Sequence, residues 1–233
     1  MRYSVDPSVF EINPTIKFGI LIGRAIKNSA TMPTDQARLR EAEKKMRESY
    51  QDSQVRELLN ISLYRSIMTK AGINPNKYPP SVEAMFKRII KGASLPAING
   101  LVDLCNAVSI EQMISLGAHD LADIHEDLEV RFAKEGDLFL PFGATDYEAV
   151  DLGELVFVSG NKVQTRKWIW RQSELGKTTI DSKDLIFQLV GFDADKGASL
   201  NKAMEDIEQL IIDRFHGSCE RYIVDQNNRC IEF

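Results

Sequence analysis

The stretch SLPAINGLVDLCNAVSI, residues 94–110, decides how the chain is read. Its apolar residues run almost unbroken, yet Asn99, Asp103 and Asn106 recur at spacings of three and four. On a helix that spacing gathers three polar side chains along one stripe. Polar groups on a buried face cost free energy unless they are hydrogen-bonded, so the stripe either ties a neighbouring loop in place or faces a cavity that holds a polar ligand. The tie weighs more for Asp103, and the two readings are level for Asn106. Just beyond, Ser109 with Gln112 three residues later has the pattern of a capping box for a further short helix.

Upstream of this helix, IKFGILIGRAI, residues 16–26, is short, apolar and rich in isoleucine and reads as a buried strand ending at Arg24. Residues 34–71 read as helical. Their first part mixes charges without a wide apolar stripe and suits a solvated helix, whereas VRELLNISLYRSIM repeats its apolar residues at helical spacing and should be better buried. Pro79 and Pro80 stop it, Ser81 is placed to cap the next helix, and Gly92 ends that one.

Downstream, from about residue 119, the period changes. LEVRFA, ELVFVSG, KWIW and DLIFQLVGF are short β-branched or aromatic runs separated by Gly and Asp turns, so this half carries most of the sheet. A last helix over residues 197–215 meets Gly217, before a closing strand pair within CERYIVDQNNRCIEF. No repeat or interdomain linker interrupts the chain, which reads as a single α/β domain over residues 1–233, helix-rich to about residue 118 and strand-rich after it.

With 233 residues and 43% apolar content, the chain can bury a core without disulfides or structural metal. Three cysteines without close spacing suit reduced thiols, and no signal-like or membrane-spanning run of about 20 apolar residues is present, so a cytoplasmic protein is expected. The formal charge of -5 argues against coating long stretches of nucleic-acid backbone but allows contact with one nucleotide end. No phosphate-binding loop, dinucleotide glycine fingerprint, nucleophile elbow or metalloprotease helix occurs. His119, His125 and His216 are spaced too widely for a zinc site, so neither metal nor cofactor is expected.

RKWIWRQ, residues 166–172, stands out in this acidic chain. With Lys162 and Lys177 it suggests a local positive field, since only Glu174 opposes five cations. Strand alternation puts Trp168, Trp170 and Gln172 on one face and Ile169 and Arg171 on the other. Two tryptophans on one face are more often core than ligand platform, and the platform for a nucleobase is the functional competitor. His119, in GAHDL at a helix-to-strand junction, is the best acid–base candidate by residue type, because a neutral imidazole can exchange a proton near neutral pH.

Taken together, SLPAINGLVDLCNAVSI, GAHDL and RKWIWRQSELGKTTIDSKDLIFQLVGF resemble the B3/4 domain, the editing and tRNA-binding domain of the phenylalanyl-tRNA synthetase β subunit, in a freestanding form. Pro96, Asn99, Val102, Asp103, Asn106 and His119 occupy the places of that pattern, and the resemblance runs from about residue 5 to residue 228. It implies a central mixed β-sheet flanked by helices and a pocket for the 3′-terminal adenosine of a tRNA with its esterified amino acid. It further implies a deacylase acting in trans, not a ligase, with His119 and Asn106 catalytic and Asn99, Arg171, Gln172, Ser173 and Arg24 binding substrate. A non-catalytic module that binds tRNA ends or a synthetase, and a small-molecule hydrolase reusing the pocket, are the competing readings. Where the synthetase has a Gly-Gly-Glu turn in its editing pocket, this chain has Arg171, Gln172 and Ser173, so the role of that glutamate does not carry over.

Overall fold

A computed structural model describes residues 1–233. In chain order the elements are β1 (Arg2–Val5), α1 (Pro7–Ile12), β2 (Ile16–Arg24), α2 (Pro33–Ser49), α3 (Leu59–Lys70), α4 (Ser81–Ile90) and α5 (Gly100–Gln112). There follow β3 (Ser115–Asp120), β4 (Leu128–Phe132), β5 (Leu138–Phe139), β6 (Glu148–Ala149), β7 (Leu155–Ser159), β8 (Lys162–Arg166), β9 (Arg171–Gln172) and β10 (Leu185–Phe192). The chain closes with α6 (Ala198–Gln209), β11 (Ser218–Val224) and β12 (Cys230–Glu232). No helix is long and apolar enough to cross a membrane.

The strands form two sheets. A mixed sheet runs in the order β12-β1-β4-β7-β8-β5-β6, with β9 paired to β8, and its parallel contacts are β1 with β4 and β5 with β8. A four-stranded sheet, β11-β2-β10-β3, is antiparallel throughout. The α/β fold with a mixed sheet is the architecture read from the sequence, and the helices lie mainly against the second, antiparallel sheet. The apparent closing pair does not pair with itself: β11 joins β2 in one sheet and β12 joins β1 in the other, so the C-terminal segment stitches the two sheets together.

The antiparallel sheet has core on both faces. Phe18, Ile20, Ile22, Ile186 and Val190 enter the larger core with α3 and α4, whereas Leu21, Phe187 and Leu189 enter a second core under α5 and α6. This explains why IKFGILIGR reads as a continuous apolar run with no alternation. Two glycines let α6 lie close. A Cβ on Gly19 would stand 2.5 Å from Met204 Sδ, and one on Gly191 would stand 2.7 Å from Leu200 Cβ. Tyr64 plugs the end of the sheet, its hydroxyl donating to Val190 O at 2.5 Å and accepting from Ser115 N at 3.0 Å.

Several local expectations are corrected. The helical stretch read over residues 34–71, a solvated first helix and a better-buried second, is α2 and α3, and a 3-10 segment, Asp52–Glu57, separates them. Ser109 caps nothing: it lies inside α5 and its hydroxyl donates to Ile114 O at 2.6 Å, while Asn99 is the residue that caps α5. Ser81 is likewise the first residue of α4 and not its cap. No second helix begins after Ser109, because α5 runs on to Gln112, and α4 starts one residue earlier than a Ser81 cap requires, with Pro80 at the cap position.

Candidate functional site

Two cavities adjoin along the outer edge of β3. The larger, about 490 Å³, lies between Asn99, Val102 and Asn106 of α5, Leu116–Ala118 of β3, Phe142, Gln172 and the segment 177–180. The smaller, about 130 Å³, is lined by Ser81, Ser115, His119, residues 168–172 and Gln188. Leu116, Gly117 and Gln172 belong to both, so these three residues form the partition.

The polar stripe of α5 divides into structural and free groups. Asp103 is buried, with Oδ1 accepting from Ile98 N at 3.0 Å and Oδ2 accepting from Thr31 Oγ1 at 2.5 Å, so it ties two loops to the helix. Asn99 is also held on both sides of its amide. Its Oδ1 accepts from Val102 N and from Asn28 Nδ2, both at 3.0 Å, and its Nδ2 donates to Thr178 O at 3.3 Å. The side chain of Asn106, further along the helix, makes no hydrogen bond within the protein and lines the larger cavity.

His119 lies in strand β3 and not in a junction loop, because β3 begins four residues earlier than the change of period suggested. Its ring is 1% exposed and stands edge-on to Phe157 at 5.1 Å between centroids. Burial pushes its pKa down to about 4, so the ring is neutral at neutral pH. Gln172 Nε2 lies 2.9 Å from Ala118 O, 3.3 Å from His119 Nδ1 and 3.4 Å from Gly176 O. The amide nitrogen has two hydrogens for these three acceptors; with one of them on Nδ1, the ring proton sits on Nε2, which has no protein partner.

RKWIWRQ is not a continuous strand. β8 ends at Arg166, a tight turn occupies residues 167–170, and β9 is Arg171–Gln172. Lys167 and Trp168 take left-handed backbone at φ 47° and 66°, which breaks the alternation. Glu154 anchors this turn. It accepts from Arg166 Nε and NH2 at 3.1 and 2.7 Å, from Lys167 N at 2.8 Å and from Lys167 Nζ at 2.6 Å. Burial by itself raises its pKa, but these donors win and hold the carboxyl below its ordinary range.

The expected positive field is thereby mostly cancelled. Arg166 and Lys167 serve Glu154, Lys177 pairs with Glu174, and only Lys162 and Arg171 of the five cations have no carboxylate partner. Trp168 is fully buried, edge-on to Tyr64 at 6.0 Å, while Trp170 packs on Tyr78 at 4.8 Å. Arg171 is not opposite the tryptophans: its guanidinium lies over the Trp170 ring at 5.0 Å, at the mouth of the smaller cavity.

The structure thus gathers Asn99, Asn106, His119, Arg171 and Gln172 around the two cavities. Ser173 is fully buried and its hydroxyl donates to Leu140 O at 3.0 Å. Arg24 lies in a separate depression, 4.0 Å from Asp184 and 6.0 Å from the Phe233 ring. Phe142, Thr178, Thr179 and Ile180 also line the larger cavity. They sit in loops whose sequence has no periodicity to mark them.

The sequence pattern of the B3/4 domain family matches residues 63–215, a span that contains every residue lining the two cavities. No curated protein matches the chain. Among solved structures it is similar to an N-terminal fragment of the phenylalanyl-tRNA synthetase β subunit from Pyrococcus horikoshii, with a TM-score of 0.43 and 11% identity over 95% of this chain and 53% of that one. The chain therefore spans about half the length of that fragment.

Proposed function

The chain belongs to the B3/4 domain family, and from that premise we propose that it binds the 3′ end of an aminoacylated tRNA and hydrolyses the aminoacyl ester in trans. The observation that carries this reading is the pair of polar groups without a protein partner, the Asn106 amide and His119 Nε2, on cavities that share one partition. The linkage to be broken is an ester already activated toward water, so orientation and hydrogen bonding supply much of the rate without a protein nucleophile.

Water adds to the ester carbonyl carbon, the bond from that carbon to the ribose oxygen breaks, and the ribose oxygen takes up a proton. Free amino acid and uncharged tRNA result. His119, neutral and protonated on Nε2, donates to the carbonyl oxygen as negative charge develops there and does not act as the base. Asn106 orients the water, whose proton passes through the neighbouring ribose hydroxyl to the leaving oxygen. Arg171, free of any carboxylate and exposed at the cavity mouth, meets a backbone phosphate. The net charge of -5 suits contact with one end of a tRNA.

Release of free amino acid from charged tRNA by the purified chain tests the proposal, with uncharged tRNA as competitor. Release that uncharged tRNA suppresses supports it. Tight binding without release makes the chain a non-catalytic tRNA-end module, and release from simple amino-acid esters that tRNA does not suppress makes it a small-molecule hydrolase.

A further inference from the structure

Charge is spread unevenly along this acidic chain. Between Glu57 and Asp103 it carries six cations, Arg65, Lys70, Lys77, Lys87, Arg88 and Lys91, and a single carboxylate, Glu83, a net of +5 within a total of -5. The fold gathers several of them. Glu83 is fully buried where α3, α4 and the 3-10 segment meet, and three cations converge on it: Lys87 Nζ at 2.6 Å, Arg65 NH1 at 3.0 Å and Arg56 Nε at 3.7 Å. One carboxylate among three cations leaves a surplus of two positive charges. On α4 and its end, Ala84, Lys87, Arg88 and Lys91 follow the spacing of one solvent-facing helical stripe. α3 turns Ser62, Ser66, Thr69 and Lys70 to solvent, and with Arg65 and residues 72–76 they line a groove of about 680 Å³.

A solvated helix commonly balances its charges, as α2 does with the pairs Lys44–Glu48 and Lys45–Glu41. Here Lys70, Lys77, Arg88 and Lys91 are exposed and have no carboxylate partner. The helix dipole favours cations in a last turn, which accounts for Lys70, Lys87 and Arg88. It accounts neither for Lys77 in a loop nor for solvent faces of α3 and α4 that hold no carboxylate. The basic face also reaches the candidate site. Ser81, the first residue of α4, lines the smaller cavity, and Lys77 Nζ stands 5.1 Å from the ring of Tyr78, which packs on Trp170 at the cavity mouth. Lys91 lies about 15 Å of helix beyond Ser81, the axial length of about four phosphates on one duplex strand.

We propose that the α3–α4 face is a second, sequence-independent contact with tRNA, in which Lys70, Arg88 and Lys91 neutralise backbone phosphates while the terminal nucleotide occupies the cavities. This rests on the proposed function for the identity of the polyanion. A cationic groove lined by hydroxyl groups, with Ile73 its one apolar residue, suits a nucleic-acid backbone, whereas a protein partner favours an apolar centre.

Removing Arg65 or Lys87 would strip partners from the buried Glu83 and destabilise the fold. The test variant is therefore Lys70→Gln/Arg88→Gln/Lys91→Gln, with Lys70→Arg/Arg88→Lys/Lys91→Arg as its charge-retaining counterpart. Affinity of the full chain for uncharged tRNA is measured from about 50 to 200 mM salt. In the neutral variant the slope of log affinity against log salt should fall by about two to three units at unchanged melting temperature, and the charge-retaining variant should keep it. Binding of the 3′-terminal trinucleotide alone should be the same in all three proteins. A wild-type slope in the neutral variant overturns the proposal. So does an equal loss of trinucleotide binding, which would put these cations at the cavity, or polyglutamate that binds the face more tightly than tRNA does, which would make it a dock for acidic protein. Two outcomes separate this contact from the deacylase reading. If the slope falls as stated but no charged tRNA is deacylated, the contact stands and the deacylase falls. If charged tRNA is deacylated and the neutral variant keeps the wild-type slope, the contact falls and the deacylase stands.

Discussion

His119 held neutral in the folded chain makes stability depend on pH in a calculable way. Its pKa is about 4 in the folded state against an ordinary 6.5, and at about 1.4 kcal/mol per pKa unit the difference is worth about 3 kcal/mol. Above pH 6.5 the ring is neutral in both states and the full stability is present. As pH falls below 6.5 the unfolded chain takes up a proton that the folded chain refuses, so stability is lost progressively until about pH 4, where the folded ring also protonates. The perturbation is His119→Gln, which removes this one site and leaves every other ionisable group in place. Urea unfolding midpoints for both proteins at intervals from pH 7.5 to about 4.5 give the assay. The difference in unfolding free energy between wild type and variant should narrow or reverse by about 2 to 3 kcal/mol as pH falls, because only the wild type carries the penalty. Parallel pH profiles would show that the folded ring protonates as readily as the unfolded one, and would remove the neutral donor from the proposed mechanism.

Trp168→Ala should cost about 3 to 5 kcal/mol, since the ring is fully buried against Tyr64, and thermal or urea unfolding measures it; Trp170→Ala should cost less because that ring is half-buried. The two asparagines of α5 should separate: Asn99→Ala loses about 1 kcal/mol of stability with its cap, whereas Asn106→Ala melts like the wild type and deacylates about ten-fold more slowly or worse. Arg171→Ala should weaken tRNA binding with little change in melting, Arg171→Lys should weaken it less, and the Ala variant should lose roughly one unit or somewhat less of the slope of log affinity against log salt.

Legibility in the sequence follows the range of the interaction involved. The α5 stripe can be read because helical spacing is local: Asp103 is a tie, as its buried face suggests, and of the two readings open for Asn106 the structure leaves it free. The strand IKFGILIGR is clear because cores cover both of its faces. The turn at residues 167–170 is hidden because aromatic and β-branched residues read as strand, and what bends them is Glu154, a buried carboxylate a dozen positions earlier in the chain. The same distant partner cancels the positive field that composition suggests. The division of β11 and β12 between two sheets also depends on long-range pairing, with residues 2–4 and 18–24, which a window on the C-terminus does not contain. Of the site, His119, Asn106 and Gln172 emerge through a family pattern, while the cavity walls Phe142, Thr178 and Ile180 come from loops that only the fold brings together.

The central claim is that this chain removes amino acids from tRNA, and the most direct measurement is a deacylation screen of the purified protein across tRNAs each charged with a different amino acid. The account predicts that at least one charged tRNA releases its amino acid well above the spontaneous rate, and that Asn106→Ala reduces this release about ten-fold or more at unchanged melting temperature. Spontaneous rates across the whole panel, from a protein that is folded and binds tRNA, would contradict it.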